Sequence, residues 1–205
     1  MYYYSGTTTT AFACGQSCLN QSWTSTSGGL AWWRFEGSYT DQIGNYNRSA
    51  ATNASNFVTG YIGQAAFFNA SVPQIIYTSF IPLNNASFTV EAWIKPIGYP
   101  NSQDHGIVGL CPTTASDQCL HITIRNQKFY YGFYADDLVG VTNLPLGQWA
   151  HTMFVFDVST RRQVMYLNGI LEGQRTASSV LKMTSGNFSI GGNEKLYGPN
   201  NVFQV

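Results

Sequence analysis

Few residues in this chain are placed to do chemistry, and the carboxylates come first because acid–base work needs two of them aimed into one space. Of the ten Asp and Glu residues in the 205-residue sequence, only Asp136 and Asp137 adjoin. Neighbours on an extended backbone point to opposite faces, which is the wrong geometry for a catalytic pair. His105, His121 and His151 are scattered, and no Ser or Cys stands in a Gly-x-Ser-x-Gly turn that would expose a nucleophile. Asp104 and His105 read as a loop pair within reach of a ligand. A stronger binding signal is the aromatic run Tyr130, Tyr131, Phe133 and Tyr134 beside Asp136 and Asp137. Aromatic rings offer apolar faces that match the C–H surfaces of a pyranose. Alternation puts Phe129, Tyr131 and Phe133 on one face and Tyr130 and Tyr134 on the other, so Tyr130 and Tyr134, with Asp136 and Asp137, are the ligand-facing candidates.

Oxygen-rich loops are the other candidate chemistry. Glu36-Gly37-Ser38-Tyr39-Thr40-Asp41, with Asn45 and Asn47 beyond, gathers the hard ligands that calcium takes, and Glu36, Asp41 and Asn45 are its candidate ligands. The four cysteines fall into two close pairs, Cys14/Cys18 and Cys111/Cys119, and neither has CxxC spacing. They allow one or two disulfides or a zinc site using all four. Cys111 and Cys119 bracket a turn-like stretch between two strand-like runs, where a disulfide across the hairpin base is geometrically reasonable. The partner of Cys14 or Cys18 stays open. Six N-glycosylation sequons, at Asn20, Asn47, Asn53, Asn69, Asn85 and Asn187, agree with the cysteines in pointing to an extracellular, oxidising compartment.

Composition narrows the classes further. Ten basic and ten acidic residues cancel, so no electrostatic footprint for nucleic acid or an anionic membrane is visible, and charge argues against both partners. No apolar run reaches the roughly 18 residues a membrane span needs. Aromatics at 15% outnumber charged residues at 10%, which favours strands over helices.

The elements that must position these residues are short strands. Residues 1–29, rich in Ser, Thr, Tyr and Gly, read as a linker or the tail of a preceding domain, and they carry no secretion signal. Residues 30–205 read as one domain. Nine runs are strand-like: Ala31–Glu36, Gln64–Asn69, Ser87–Ile94, Gly106–Cys111, Leu120–Arg125, Lys128–Tyr134, Trp149–Asp157, Gln163–Asn168 and Asn187–Ile190. Turn signals separate them, among them Asn126-Gln127, Asn168-Gly169 and Gly191-Gly192. Phe88, Val90, Ala92 and Ile94 share one face of their strand, and Thr89, Glu91, Trp93 and Lys95 share the other. Phe188 and Ile190 are expected to point inward, with Asn187 and Ser189 toward solvent. The whole reads as an all-β antiparallel sandwich or jelly roll.

Four ordered landmarks make the chain resemble the laminin-G-like, concanavalin A-like jelly-roll domains, a group that includes pentraxins. They are Leu30-Ala31-Trp32-Trp33-Arg34-Phe35-Glu36-Gly37; Gly60-Tyr61-Ile62-Gly63-Gln64-Ala65-Ala66-Phe67; Ser87 through Pro96; and Gly147-Gln148-Trp149-Ala150-His151 through Asp157, followed by Met165-Tyr166-Leu167-Asn168-Gly169. The resemblance implies a two-sheet jelly roll that binds glycan or protein ligands, often beside calcium, within a larger cell-surface or matrix protein. It also implies a closing strand after residue 192 that would lie beside the opening strand. Residues 201–205 barely begin such a strand, so the expectation is a chain lacking its final strand. Enzymes of this fold carry alternating carboxylates, a Glu-x-Asp-x-Glu pattern this sequence lacks, so no enzymatic activity is expected. A glycan-cleaving enzyme of related fold, disfavoured by that missing pattern, and a ligand-free structural spacer are the alternatives.

Overall fold

The computed structural model describes residues 2–4, 29–52, 56–69, 72, 74–99 and 104–193. Among them are fifteen strands. In chain order they are β1 (Tyr2–Tyr4), β2 (Gly29–Trp32), β3 (Arg48–Thr52), β4 (Asn56–Thr59), β5 (Gln64–Phe67), β6 (Ile75–Thr78), β7 (Phe88–Ile94) and β8 (His105–Leu110). They continue as β9 (Leu120–Arg125), β10 (Lys128–Gly132), β11 (Asp137–Val139), β12 (Ala150–Asp157), β13 (Arg162–Leu167), β14 (Ile170–Thr176) and β15 (Phe188–Ile190).

The strands build two large antiparallel sheets and a small one. One sheet runs β14-β13-β12-β7-β1-β2, the other β11-β10-β9-β8-β15-β6-β3, and β4-β5 is a separate hairpin. This is the jelly-roll sandwich that strand periodicity predicts.

Period-2 alternation decides what each sheet buries. Phe88, Val90, Ala92 and Ile94 of β7 are buried, as are Ala150, Thr152, Phe154 and Phe156 opposite them on β12. Phe129, Tyr131 and Phe133 come from the facing sheet, each fully buried. Edge-to-face contacts join the layers, with Phe129 5.3 Å from Phe154 and Phe133 4.9 Å from Phe156. Trp33 stacks on Phe188 at 5.9 Å and closes the core near β2.

The structure changes two expectations about strands. Gly29–Trp32 does not stand unpaired: β1, from the segment read as linker, lies between it and β7, with Tyr2 opposite both Trp32 and Glu91. The position that the resemblance gives to a closing strand is therefore held by β1. Ser189 does not face solvent either, because its hydroxyl donates to the Gly109 and Gly192 carbonyls beneath a covered part of the sheet. Residues 201–205, Cys14, Cys18, Asn20 and Asn53 lie outside the described residues.

Candidate functional site

The predicted ligand residues on β8 to β11 separate into three environments. Asp104 is buried and receives both arms of the Arg125 guanidinium, one donating to Oδ1 and the other to Oδ2 at 2.5 Å. Arg125 also lies 3.9 Å over the Tyr130 ring, so Asp104 and Tyr130 are joined through it. Next along the sheet, His121 Nε2 stands 3.1 Å from Asp137 Oδ1, and His121 packs beside Tyr130 with ring centroids 6.1 Å apart.

Asp136 turns the other way. Its carboxylate accepts from the Ser178 amide at 2.8 Å and pairs with Arg175 at 2.6 Å. Tyr134 stands in the turn after β10, half-buried, at φ 70°. His105 is not a loop residue: it begins β8 and is buried, 5.5 Å from the Tyr99 ring. Burial pushes the Tyr99 hydroxyl up to about 12, and that hydroxyl donates to the Leu144 carbonyl.

Much of the face that carries His121 and Thr123 is covered. A Cβ at Gly109 would meet Asn193 Nδ2 at 2.6 Å, and one at Gly106 would meet the Gly192 backbone at 2.9 Å. The chain after β15 thus lies directly on β8, and His121, Thr123 and Ser189 are all buried. Asp104, Tyr130 and Asp137 are brought together, but at the margin of a closed surface and already engaged with one another.

The candidate calcium ligands of the oxygen-rich loop are engaged within the fold. Asp41 Oδ1 accepts from the Trp32 and Ile43 amides, and Oδ2 from the Asn45 and Tyr46 amides, at 2.7 to 3.0 Å. Four N–H donors fill the lone pairs a cation would need, so Asp41 ties the loop to β2. Asn45 contributes one of those amides. Glu36 accepts from the Gln64 amide and faces Arg34. Among the described residues, no group of three or more His, Cys, Asp or Glu side chains is placed to hold a metal.

Cys111 and Cys119 are joined by a disulfide across the hairpin between β8 and β9. Of the sequon asparagines described, Asn47, Asn85 and Asn187 are exposed and Asn69 is half-buried.

A second surface, which sequence reasoning missed, is the outward face of β7 and β12. Trp93 and His151 are cross-strand partners, with ring centroids 5.2 Å apart. The β4–β5 hairpin tip, residues 60–63, folds over them and lays Tyr61 flat on Trp93 at 3.9 Å and 10°. Trp149 meets Tyr61 edge-on at 6.5 Å. Gly63 makes this approach work: it has φ 59°, and a Cβ there would stand 2.1 Å from Glu36 Oε1. Tyr61 remains 51% exposed, leaving a broad ring face open to solvent.

Polar groups border this stack. Asn168, in the Asn-Gly turn, accepts from the His151 amide at 2.9 Å through its Oδ1. Glu91 Oε2 lies 4.0 Å from His151 Nε2. Burial pushes the Glu91 carboxyl up to about 7 and the His151 imidazole below its ordinary value. Burial disfavours both charged forms here, so each group favours its neutral state. A neutral carboxyl can donate as well as accept a hydrogen bond, which suits a sugar hydroxyl.

Paired hydrolysis is a poorer fit. The other carboxyl on the outward side of β12 is Asp157, four residues beyond the row of Glu91 and Met153, or roughly 13 Å along the strand. Acid and base carboxyls in glycoside hydrolysis stand about 5 to 9.5 Å apart. The signal for this surface was partly in the sequence, since period 2 puts Glu91 and Trp93 together; the docking of Tyr61 is a tertiary contact that no local pattern encodes.

Residues 71–204 match the family model described as the concanavalin A-like lectin/glucanases superfamily. No curated protein matches the sequence. Among solved structures, domain 4 of AbnA, an extracellular GH43 arabinanase from Geobacillus stearothermophilus, in complex with arabinotriose, aligns at TM-score 0.62 and 20% identity. That alignment covers 80% of this chain and 82% of the other. The binding domain of botulinum neurotoxin DC, in complex with SialylT, gives 0.52 at 10% identity, over 74% of this chain and 40% of that one. Domains LG4-5 of the mouse laminin alpha1 chain give 0.50 at 14% identity, over 70% and 37%. At such identities the likeness is one of fold.

Proposed function

Because the chain belongs to the concanavalin A-like lectin/glucanase superfamily, we propose that it is a glycan-recognition module without catalytic activity, part of an extracellular or cell-surface protein. The observation that carries this reading is the Tyr61–Trp93–Trp149 stack: an exposed ring on a supported aromatic base, with Asn168, His151 and Glu91 at its border. Flat apolar rings beside a few directional polar groups are the usual composition of a sugar subsite. Two solved structures of related fold were determined with saccharide-type ligands, AbnA domain 4 with arabinotriose and the neurotoxin domain with SialylT. Absence of a second carboxyl near Glu91 on β7 and β12 favours binding over hydrolysis. The Cys111–Cys119 disulfide and the exposed sequons at Asn47, Asn85 and Asn187 support the extracellular assignment. Tyr130, Tyr134, Asp136, Asp137, Asp104 and His105 are left as a secondary, peripheral candidate.

A glycan array followed by calorimetric titration tests the reading. Tyr61→Ala is expected to weaken binding at least about tenfold with little change in melting temperature, since Tyr61 stands at an exposed hairpin tip. Silence across the array, or an affinity untouched by Tyr61→Ala, would refute the site; product release would refute the non-catalytic assignment.

A further inference from the structure

The polar groups of the aromatic site stand at the level of Trp93, not of Tyr61. Glu91 and His151 project from the same sheet face as Trp93, with the His151 ring 5.2 Å from the indole and Glu91 4.0 Å from His151. Among the described residues His151 has no ring contact with Tyr61. Tyr61 lies on Trp93 at 3.9 Å and takes the face that these groups border. A sugar on the outer face of Tyr61 would lie two ring spacings, about 8 Å, above Trp93. Hydrogen bonds from Glu91 or His151 do not span that gap. The hairpin that carries Tyr61 can leave Trp93 at little cost. It hydrogen-bonds to neither large sheet, and a two-stranded hairpin is marginal by itself. Its root is fixed, since Ala66 and Phe68 are buried and Phe57 packs on Tyr39 at 4.9 Å. Nearer the tip, the Gln64 amide donates to Glu36. Among the described residues, no hydrogen bond joins residues 60–63 to β7 or β12, and Gly60 donates to the Gly63 carbonyl within the tip itself. Lifting the tip separates rings and breaks no hydrogen bond to the sheet.

We propose that the Tyr61 tip is a clamp, which lifts off Trp93 and closes on a sugar ring held between the two aromatic faces. The inference rests on the glycan reading of this site and deepens it, moving the sugar from the outer face of Tyr61 to the cleft beneath. Two stacking contacts of about 4 Å then replace one, so the tip retreats by about 4 Å. The sugar comes to rest on Trp93, level with Glu91 and His151. Clamping on both faces also selects the class of sugar. A pyranose with every ring hydroxyl equatorial turns axial C–H bonds to both of its faces, and each face matches an aromatic ring. An axial hydroxyl would be pressed against one ring and lose its water without gaining a partner. The clamp therefore takes gluco- or xylo-configured saccharides and rejects manno- and galacto-configured ones.

The test is a titration of the protein with cellotriose, xylotriose, mannotriose and galactotriose, followed by proton NMR of the Tyr61 ring, whose signals are assigned with the Tyr61→Phe variant. In the free protein the Trp93 ring current shifts these signals upfield. Expected are loss of that shift as cellotriose or xylotriose binds, and an affinity for these two at least about tenfold above that for mannotriose and galactotriose. A saccharide that binds and leaves the upfield shift in place lies on the outer face of Tyr61, which overturns the clamp and keeps the glycan reading. Equal affinity for the four probes would show that a single face is used and would overturn it as well. Should none of the four bind, the clamp is refuted, while the glycan array decides separately whether the chain binds glycan at all.

Discussion

Glu91 carries the most telling perturbation among single residues, because burial pushes its carboxyl from the ordinary 4.5 up to about 7. The sign of its effect on stability follows from linkage. The folded state holds the proton more tightly than the unfolded chain, so this contribution is complete below about 4.5 and is lost as pH rises through about 7. His151 acts in the opposite sense: its lowered folded value favours the fold above 6.5, and that contribution is lost as pH falls toward the folded value. Among the described residues, the titratable group facing Glu91 is His151 on β12, 4.0 Å away. A shift of this size corresponds to about 3 kcal/mol. Glu91→Gln is therefore expected to be more stable than the parent at pH 8, by up to that amount, with the gap closing as pH approaches 5. Urea denaturation at the two pH values measures it, and curves that stay parallel would show that Glu91 is not held neutral. At this scale the sequence was partly legible. Alternation placed Glu91 and Trp93 on one face, and Asp41 stood out as an oxygen donor. Asp41's actual partners are four amides, three of them 2–5 residues away and one on β2. No residue-type signal distinguishes a carboxylate that binds N–H groups from one that binds calcium.

Among the elements, the row across β9, β10 and β11 depends on one glycine. Gly132 stands between His121 and Asp137 in register, and a Cβ there would fall 1.7 Å from Asp137 Oδ1. The missing side chain leaves room for the Asp137 carboxylate to cross β10 and reach the imidazole. Gly132→Ala should displace that carboxylate and destabilise the fold by about 1 to 3 kcal/mol. With Asp137→Ala already present, the added cost should largely vanish, and a thermal double-mutant cycle reports the coupling. Additive costs would mean that Gly132 is required for some other reason. Strands that alternate, such as β7 and β12, were readable within a residue or two of their ends. Ile75–Thr78 was not, because all four of its residues are buried and no alternation marks it. Nor was Ile170–Thr176, where Gly173 interrupts the pattern and the first two residues are exposed apolar side chains. Both misses have one cause: period 2 reports a strand only when one face is wet.

For the molecule as a whole, the six-stranded sheet is completed by its most remote piece of sequence. β1 holds hydrogen-bonding partners on both sides, with Tyr2, Tyr3 and Tyr4 opposite Glu91, Val90 and Thr89 on one flank, and Tyr2 and Tyr4 opposite Trp32 and Gly29 on the other. Ordered landmarks fixed the jelly roll in advance, yet nothing in Tyr2-Tyr3-Tyr4 names its partners, since three residues carry no register. Long-range pairing of so short a strand is decided by the vacancy it fills. Without it, β2 and β7 would each expose a row of amides and carbonyls, and β7 lies at the centre of the core-bearing sheet. Deleting residues 1–5 is therefore expected to lower the melting temperature by about 5 °C or more and to promote self-association through the opened edges, as read by size-exclusion chromatography. If the shortened chain melts with the parent and stays monomeric, β1 contributes nothing to the sheet, and β2 is held against the core by Trp33 and the Asp41 loop alone.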